Sequence, residues 1–194
     1  MPTLLMRITT IFLILSFLIA CQKKHVENII PINTTQTPPS ITNPPIIGLE
    51  IGNIAPDLYL QDSNNVFIQL SSIKHKLILI DFWASWCAPC RFENIHLKTV
   101  YTNFKDSIFK NANGFEIFSV SVDNNKKYWR KAIATYQYNW KYNVSDSTTW
   151  NKTGSYLYNI TSIPMNFLID TNGIIIAKNL RDTVVETTLT QYLK

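Results

Sequence analysis

Apolar residues fill positions 77–83 almost without a break: Leu77, Ile78, Leu79, Ile80, Phe82 and Trp83 surround a single acid, Asp81. A run of that length predicts a strand buried on both faces at the centre of a sheet. The next segment, to about Lys105, changes to helical spacing, and Phe92, Ile95, Val100, Tyr101 and Phe104 are expected mostly on one inward face. Upstream, residues 52–60 and 66–70 read as two strands of a hairpin separated by the polar Asp62-Ser63-Asn64-Asn65 turn. Downstream, Asn113-Gly114 turns the chain into a strand over 115–123. Residues 126–138 read as a helix packed through Tyr128, Trp129, Ile133 and Tyr136, and 147–158 as a weaker helical stretch. A strand over 164–170, a Thr171-Asn172-Gly173 turn, a strand over 174–178 and a helix over 184–193 close the pattern. Together these predict an α/β fold: a central mixed β-sheet flanked by helices, with an N-terminal β-hairpin extension.

The N-terminus is organised differently. Arg7 precedes an apolar core over 11–19 that is short for a membrane span and has the layout of a signal peptide. It ends in Leu18-Ile19-Ala20-Cys21, which resembles a bacterial lipobox, where cleavage before the cysteine leaves it to be acylated. An ordinary signal peptide with a chance cysteine is the alternative. Several acyl chains would hold the protein stably at a membrane. Gln22, a non-Asp residue after Cys21, points by resemblance to sorting rules towards the outer membrane over the inner. Prolines 31, 38, 39, 44 and 45, mixed with Thr and Asn, predict an extended tether that reaches several tens of Å at up to ~3.1 Å per residue. The expected organisation is a lipoprotein signal peptide at 1–20, a lipidated cysteine and tether at 21–50, and one domain at 51–194.

Composition narrows the function. In 194 residues the formal charge of +5 is spread among interleaved acids and bases, without a basic tract, so nucleic acid is not expected as a partner. The three cysteines are Cys21, Cys87 and Cys90. Zinc would need a second pair, and His25, His75 and His96 lack ligand spacing, so no metal site is expected. Cys87 and Cys90 sit at a strand-to-helix junction, on one face of the first turns, where backbone N–H groups and the helix dipole favour a thiolate. Cys87, at the very start of the helix, is the expected nucleophile; Cys90, one turn in and better shielded, is the expected resolving thiol. A static disulfide clamp is the bland alternative. Pro89 is tolerated because it falls in the first turn.

At these residues the chain resembles the thioredoxin superfamily, and within it the TlpA/ResA-type thiol–disulfide oxidoreductases. The resemblance rests on Trp86-Cys87-Ala88-Pro89-Cys90, on Asp81 six residues before the first cysteine, on Ile163-Pro164 before a late strand, and on the opening Gly52-Asn53-Ile54-Ala55-Pro56-Asp57. It implies a thioredoxin-like fold in which Pro164 is cis and packs beside the cysteines, and in which Ile163 and Trp86 shape the substrate surface. Two carboxylates compete for the proton-shuttling role. Asp81 matches the buried acid of thioredoxin, where many TlpA/ResA-like chains carry Asn, and Glu93 matches a glutamate of the ResA-like proteins. Glu93 has a competing reading as a solvated residue paired with Arg91 or Lys98. Ile95 stands where related chains often carry a helix-kinking proline, so a straighter helix is expected.

The resemblance further implies a membrane-anchored enzyme of the cell envelope that reduces protein disulfides, apocytochrome c among them. It would use no cofactor beyond its own Cys87–Cys90 couple, draw electrons from a membrane thiol–disulfide donor, and act as a monomer. A peroxiredoxin-type peroxidase shares the Ala55-Pro56-Asp57 opening but needs Thr three residues before its cysteine, where this chain has Ala84. A non-catalytic binding lipoprotein on the same fold is the second alternative.

Overall fold

The computed structural model describes residues 46–147 and 154–194. The central run becomes β3 (Leu77–Trp83), buried at all seven positions. It earns that burial from neighbours on both sides. β4 (Phe115–Ser121) pairs with it in parallel, from Leu77 opposite Phe115 to Trp83 opposite Ser121. β6 (Met165–Ile169) pairs antiparallel, with Asp81 opposite Asn166. β1 (Tyr59–Asp62) and β2 (Phe67–Gln69) form the expected hairpin, and β7 (Ile175–Lys178) follows β6 through the predicted turn. Asp170 Oδ1 closes that turn by accepting the N–H groups of Asn172 and Ile174.

The strand that the sequence reading lacked is β5 (Tyr142–Ser145), which pairs parallel with β4 and antiparallel with β1. It is the piece that joins the hairpin to the sheet, giving the order β2-β1-β5-β4-β3-β6-β7. Four residues that alternate over barely two periods carry little pattern of their own. Their conformation comes from the edge of β4, which offers a ladder to pair with.

α1 (Ala88–Phe104) packs on the sheet through only part of the face expected: Val100, Tyr101 and Phe104 face the core, Phe92 and Ile95 do not. Cys90, Glu93, Asn94, Leu97, Val100 and Phe104 are buried, while Phe92 is 75% exposed and Ile95 is exposed as well. Phe92 lies two residues from Cys90, about 200° round the helix, so both cannot face inward. The helix is rotated to bury the second cysteine together with two polar side chains. No proline interrupts it between Pro89 and its end.

α2 (Lys126–Tyr136) begins at Asn125, whose side chain accepts the N–H of Lys127, and ends where Gln137 turns left-handed at φ 54°. Trp129 and Ala132 are its buried residues; Tyr128, expected inside, is exposed. The weak helical stretch reduces to α3 (Gly154–Leu157), with 148–153 outside the described residues. α4 (Thr183–Gln191) buries Val185 and Leu189 and meets α1. At the strand entry Gly114 holds φ +126° and lies against the carbonyl of Lys105, so a Cβ there has neither an allowed conformation nor space. The segment expected to be a signal peptide, Cys21 and most of the expected tether also lie outside the described residues.

Candidate active site

β3 delivers the chain to a short loop, Ala84 to Trp86, which is fastened from two directions. Asp123, just past β4, accepts the N–H of Ser85 at 2.9 Å and its hydroxyl at 2.6 Å. Ser121 Oγ donates to the same carboxylate at 2.8 Å. From the helix side, Arg91 Nη1 donates to the carbonyl of Ser85 at 2.9 Å. The next residues therefore enter α1 along one path. Cys87 is its N-cap: the backbone is extended, and Sγ accepts the N–H of Cys90 at 3.2 Å. This is the local feature that favours sulfur with negative charge at that position.

Cys87 and Cys90 are joined as a disulfide and lie 5% and 1% exposed. Trp86 beside them is exposed. The Ile163–Pro164 peptide is cis, and Cys87 Sγ lies 3.9 Å from the carbonyl oxygen of Ile163, across 76 residues of chain. The half-buried Ile163 thus lies beside a sulfur that is itself nearly closed off, and the indole of Trp86, the residue before Cys87, is open to solvent. Trp83 is wholly in the core, edge-on to Tyr138.

Two carboxyls are buried in this part of the fold, Asp81 on β3 and Glu93 on α1. Asp81 is 1% exposed, and neither of its oxygens has a hydrogen-bond partner among the described residues. Burial pushes its pKa from 3.8 up to about 7; the charge of Glu93 pushes the same way and Arg181 opposes them. Glu93 is 6% exposed and accepts the N–H of Asp182 on both oxygens, at 3.1 and 3.3 Å. Its carboxyl is also raised, first by burial, with the Asp182 N–H pulling it back. The solvated reading of Glu93 does not hold, because Arg91 is engaged with Ser85 and Lys98 Nζ donates to the carbonyl of Tyr136 at 2.9 Å. The fold sets Asp81 and Glu93 within each other's field, so the ionisation of one makes that of the other harder.

Sequence reading missed Asp123, Asn166, Arg181 and Asp182. Asn166, buried opposite Asp81, holds Leu180 through both amide atoms: Nδ2 donates to its carbonyl at 2.9 Å and Oδ1 accepts its N–H at 2.8 Å. Asn166→Ala is expected to cost about 2–4 kcal/mol in urea unfolding, since it leaves two buried backbone groups of Leu180 unpaired. A loss within about 0.5 kcal/mol would mean the loop repairs itself. Only for Asp123 was there a signal, as an acid at the C-terminal end of the strand beside β3. The others act from the opposite end of the sequence.

A profile of the AhpC/TSA family matches residues 51–178, from before the hairpin to the end of β7. The chain belongs to this family. It is 29% identical over 144 residues to the thiol-disulfide oxidoreductase ResA of Bacillus subtilis strain 168, covering 73% of either chain. Among solved structures it resembles the thioredoxin domain of a thiol-disulfide oxidoreductase from Bacteroides vulgatus, with TM-score 0.64 and 29% identity over 76% of this chain and all of the other. A thiol:disulfide interchange protein from Bacteroides sp. superposes with TM-score 0.66 and 30% identity, over 75% and 91% of the two chains. The fold is thioredoxin-like, as the cysteine motif and the strand pattern implied. Arg181 and Asp182 lie beyond the segment that the family profile matches.

Proposed function

We propose that this thiol–disulfide oxidoreductase works as a reductant of protein disulfides in the cell envelope, with Cys87 as nucleophile and Cys90 as resolving thiol. The observation that carries this reading is Cys87 at the N-cap of α1, its sulfur receiving a backbone N–H and lying 3.9 Å from the Ile163 carbonyl. The Cys87 thiolate attacks one sulfur of the client disulfide and expels the other as a thiolate, leaving a mixed disulfide. Cys90 then loses its proton and attacks Cys87 Sγ. The Cys87–Cys90 bond forms, and the client sulfur held in the mixed disulfide leaves as a thiolate. Asp81 on β3 and Glu93 on α1, both buried, are the proposed acceptors of the Cys90 proton; a carboxyl pushed up towards neutral pH suits that transfer. Trp86, Ile163 and Pro164 form the proposed contact surface for an extended client segment.

The compartment is part of the proposal. Arg7, the apolar core over 11–19 and Cys21 support export, lipidation and anchoring, the outer membrane being favoured by Gln22. Among the described residues no helix is long and apolar enough to cross a membrane. A membrane dithiol donor would return two electrons to the Cys87–Cys90 disulfide, and apocytochrome c is the client class that the family resemblance suggests. Against the peroxidase reading stands Ala84, a buried methyl where a hydroxyl is needed.

The test is the reduction potential of the couple, by equilibration against thiol buffers of known ratio. The expected value lies near the ~−270 mV of thioredoxin. A value near the ~−120 mV of strong periplasmic oxidants would reverse the direction of electron flow.

A further inference from the structure

Residues 179–182, between β7 and α4, hydrogen-bond to Asn166, Pro164 and Glu93. Asn179 N–H donates to the carbonyl of Asn166 at 2.8 Å, and Leu180 is clasped by the Asn166 side chain. Arg181 donates through Nη2 to the carbonyl of Pro164 and through Nη1 to that of Leu180. Asp182 donates its N–H to Glu93. Asn179 and Asp182 hold positive φ, 56° and 47°, backbone that persists only where contacts on both sides fix it. One four-residue loop therefore ties the strand opposite Asp81, the proline beside Cys87, and the second carboxyl together.

Arg181 is unusual in how it is held. Its hydrogen bonds go to neutral main-chain carbonyls, and no ion pair among the described residues includes it. A guanidinium placed that way is fixed in position while its charge stays uncompensated by direct contact. The buried carboxyls of Asp81 and Glu93 lie within its field. We propose that Arg181 is a positioning residue that braces the Ile163–Pro164 loop and supplies the positive charge against which Asp81 and Glu93 ionise. This rests on the acid role proposed above.

The groups facing the two acids are few. Arg181 and Asp182 come from the loop, His96 from α1, and Tyr138 from the chain after α2. Arg181 lowers both carboxyls, against burial, which raises them. Without it, the acid that titrates near neutral pH should move up by about one unit. Its ionised fraction at pH 7 would then fall from about one half to about one tenth, and a step that needs the carboxylate would slow about fivefold.

The experiment compares Arg181→Gln and Arg181→Lys with the parent in two readouts. The first is carboxyl-carbon NMR titration of the oxidised protein, in which the cysteines do not titrate. The second is the pH profile of reduction of a protein disulfide by the reduced form. Arg181→Gln is expected to raise the carboxyl midpoint by about one unit and to shift the acidic limb of the profile equally, while Arg181→Lys recovers most of both. An unmoved midpoint in Arg181→Gln would overturn the proposal. So would equal slowing of both variants at every pH with the midpoint unchanged, which is the signature of loop bracing alone. Asp81→Asn separates the two readings. If it keeps the parental acidic limb, the proton-transfer role of Asp81 fails, while the NMR midpoint still decides on Arg181.

Discussion

Cys87→Ser is expected to lose disulfide reduction completely, whereas Cys90→Ser keeps the attack and loses only the release. The two cysteines are equal in sequence terms but not in place. Cys87 caps α1 and has the N–H of Cys90 directed at its sulfur; Cys90 sits one turn in, almost fully closed off. A hydroxyl at position 87 has too high a pKa to form the nucleophile at neutral pH, so the first exchange cannot begin. With serine at 90, the mixed disulfide has no internal thiol to resolve it and accumulates. Incubating each reduced variant with a disulfide-bonded client and running non-reducing gels distinguishes the two: a covalent adduct for Cys90→Ser, none for Cys87→Ser. Adduct in the opposite variant would exchange the assigned roles. A Cys87→Ser protein that retained full function in cells would favour the binding-lipoprotein alternative.

The second large effect concerns stability, at Asp81. Its carboxyl titrates near 3.8 in an unfolded chain and at about 7 in the fold, chiefly because it is buried. Between those values the native state binds more protons than the unfolded state, so stability falls as pH rises through the window and levels off above about 7. A displacement of about three units corresponds to roughly 4 kcal/mol of destabilisation at pH 8 relative to pH 4 from this one group. Asp81→Asn removes the charge and keeps the shape. It is therefore expected to be more stable than the parent by several kcal/mol at pH 8 and nearly equal to it at pH 4. Urea unfolding of both oxidised proteins at the two pH values measures this. Equal stability at pH 8 would mean the carboxylate is solvated in the native state. The same substitution should slow disulfide reduction at pH 7 by about 100-fold if Asp81 takes the Cys90 proton. More stable and less active is the combined expectation, and it describes a charge kept in the core for its chemistry.

The sheet was largely readable along the chain. β3 could be recognised because a strand covered on both faces must be apolar throughout, and the one exception, Asp81, proved to be part of the buried site. The hairpin and the β6–β7 turn were readable because turn chemistry is local: Asp170, Asn172 and Gly173 determine it among themselves. β5 was not, since its four residues take their conformation from a parallel neighbour about twenty residues away. The face of α1 was readable in its second half, at Val100, Tyr101 and Phe104, but misjudged in its first turns. Periodicity ranks side chains by apolarity, but here the helix turns Cys90, Glu93 and Asn94 inward and leaves Phe92 and Ile95 in solvent.

What the sequence by itself determined is the chemistry: a thiol pair at a helix start, an acid in a central strand, a proline before a late strand, and with them the fold family. These are local matters, set by residue type and by spacings of a few positions, and they keep their meaning before the chain folds. What only the tertiary structure decided is how the charges act on one another. Asp81 on β3, Glu93 on α1 and Arg181 before α4 come from three separate stretches of chain, and the N–H that holds Glu93 belongs to Asp182. Electrostatic energy depends on distance and on the exclusion of water, and neither exists until the sheet has closed over these groups. A carboxyl with a midpoint near neutral pH is therefore a property of the folded packing that no stretch of this sequence carries alone.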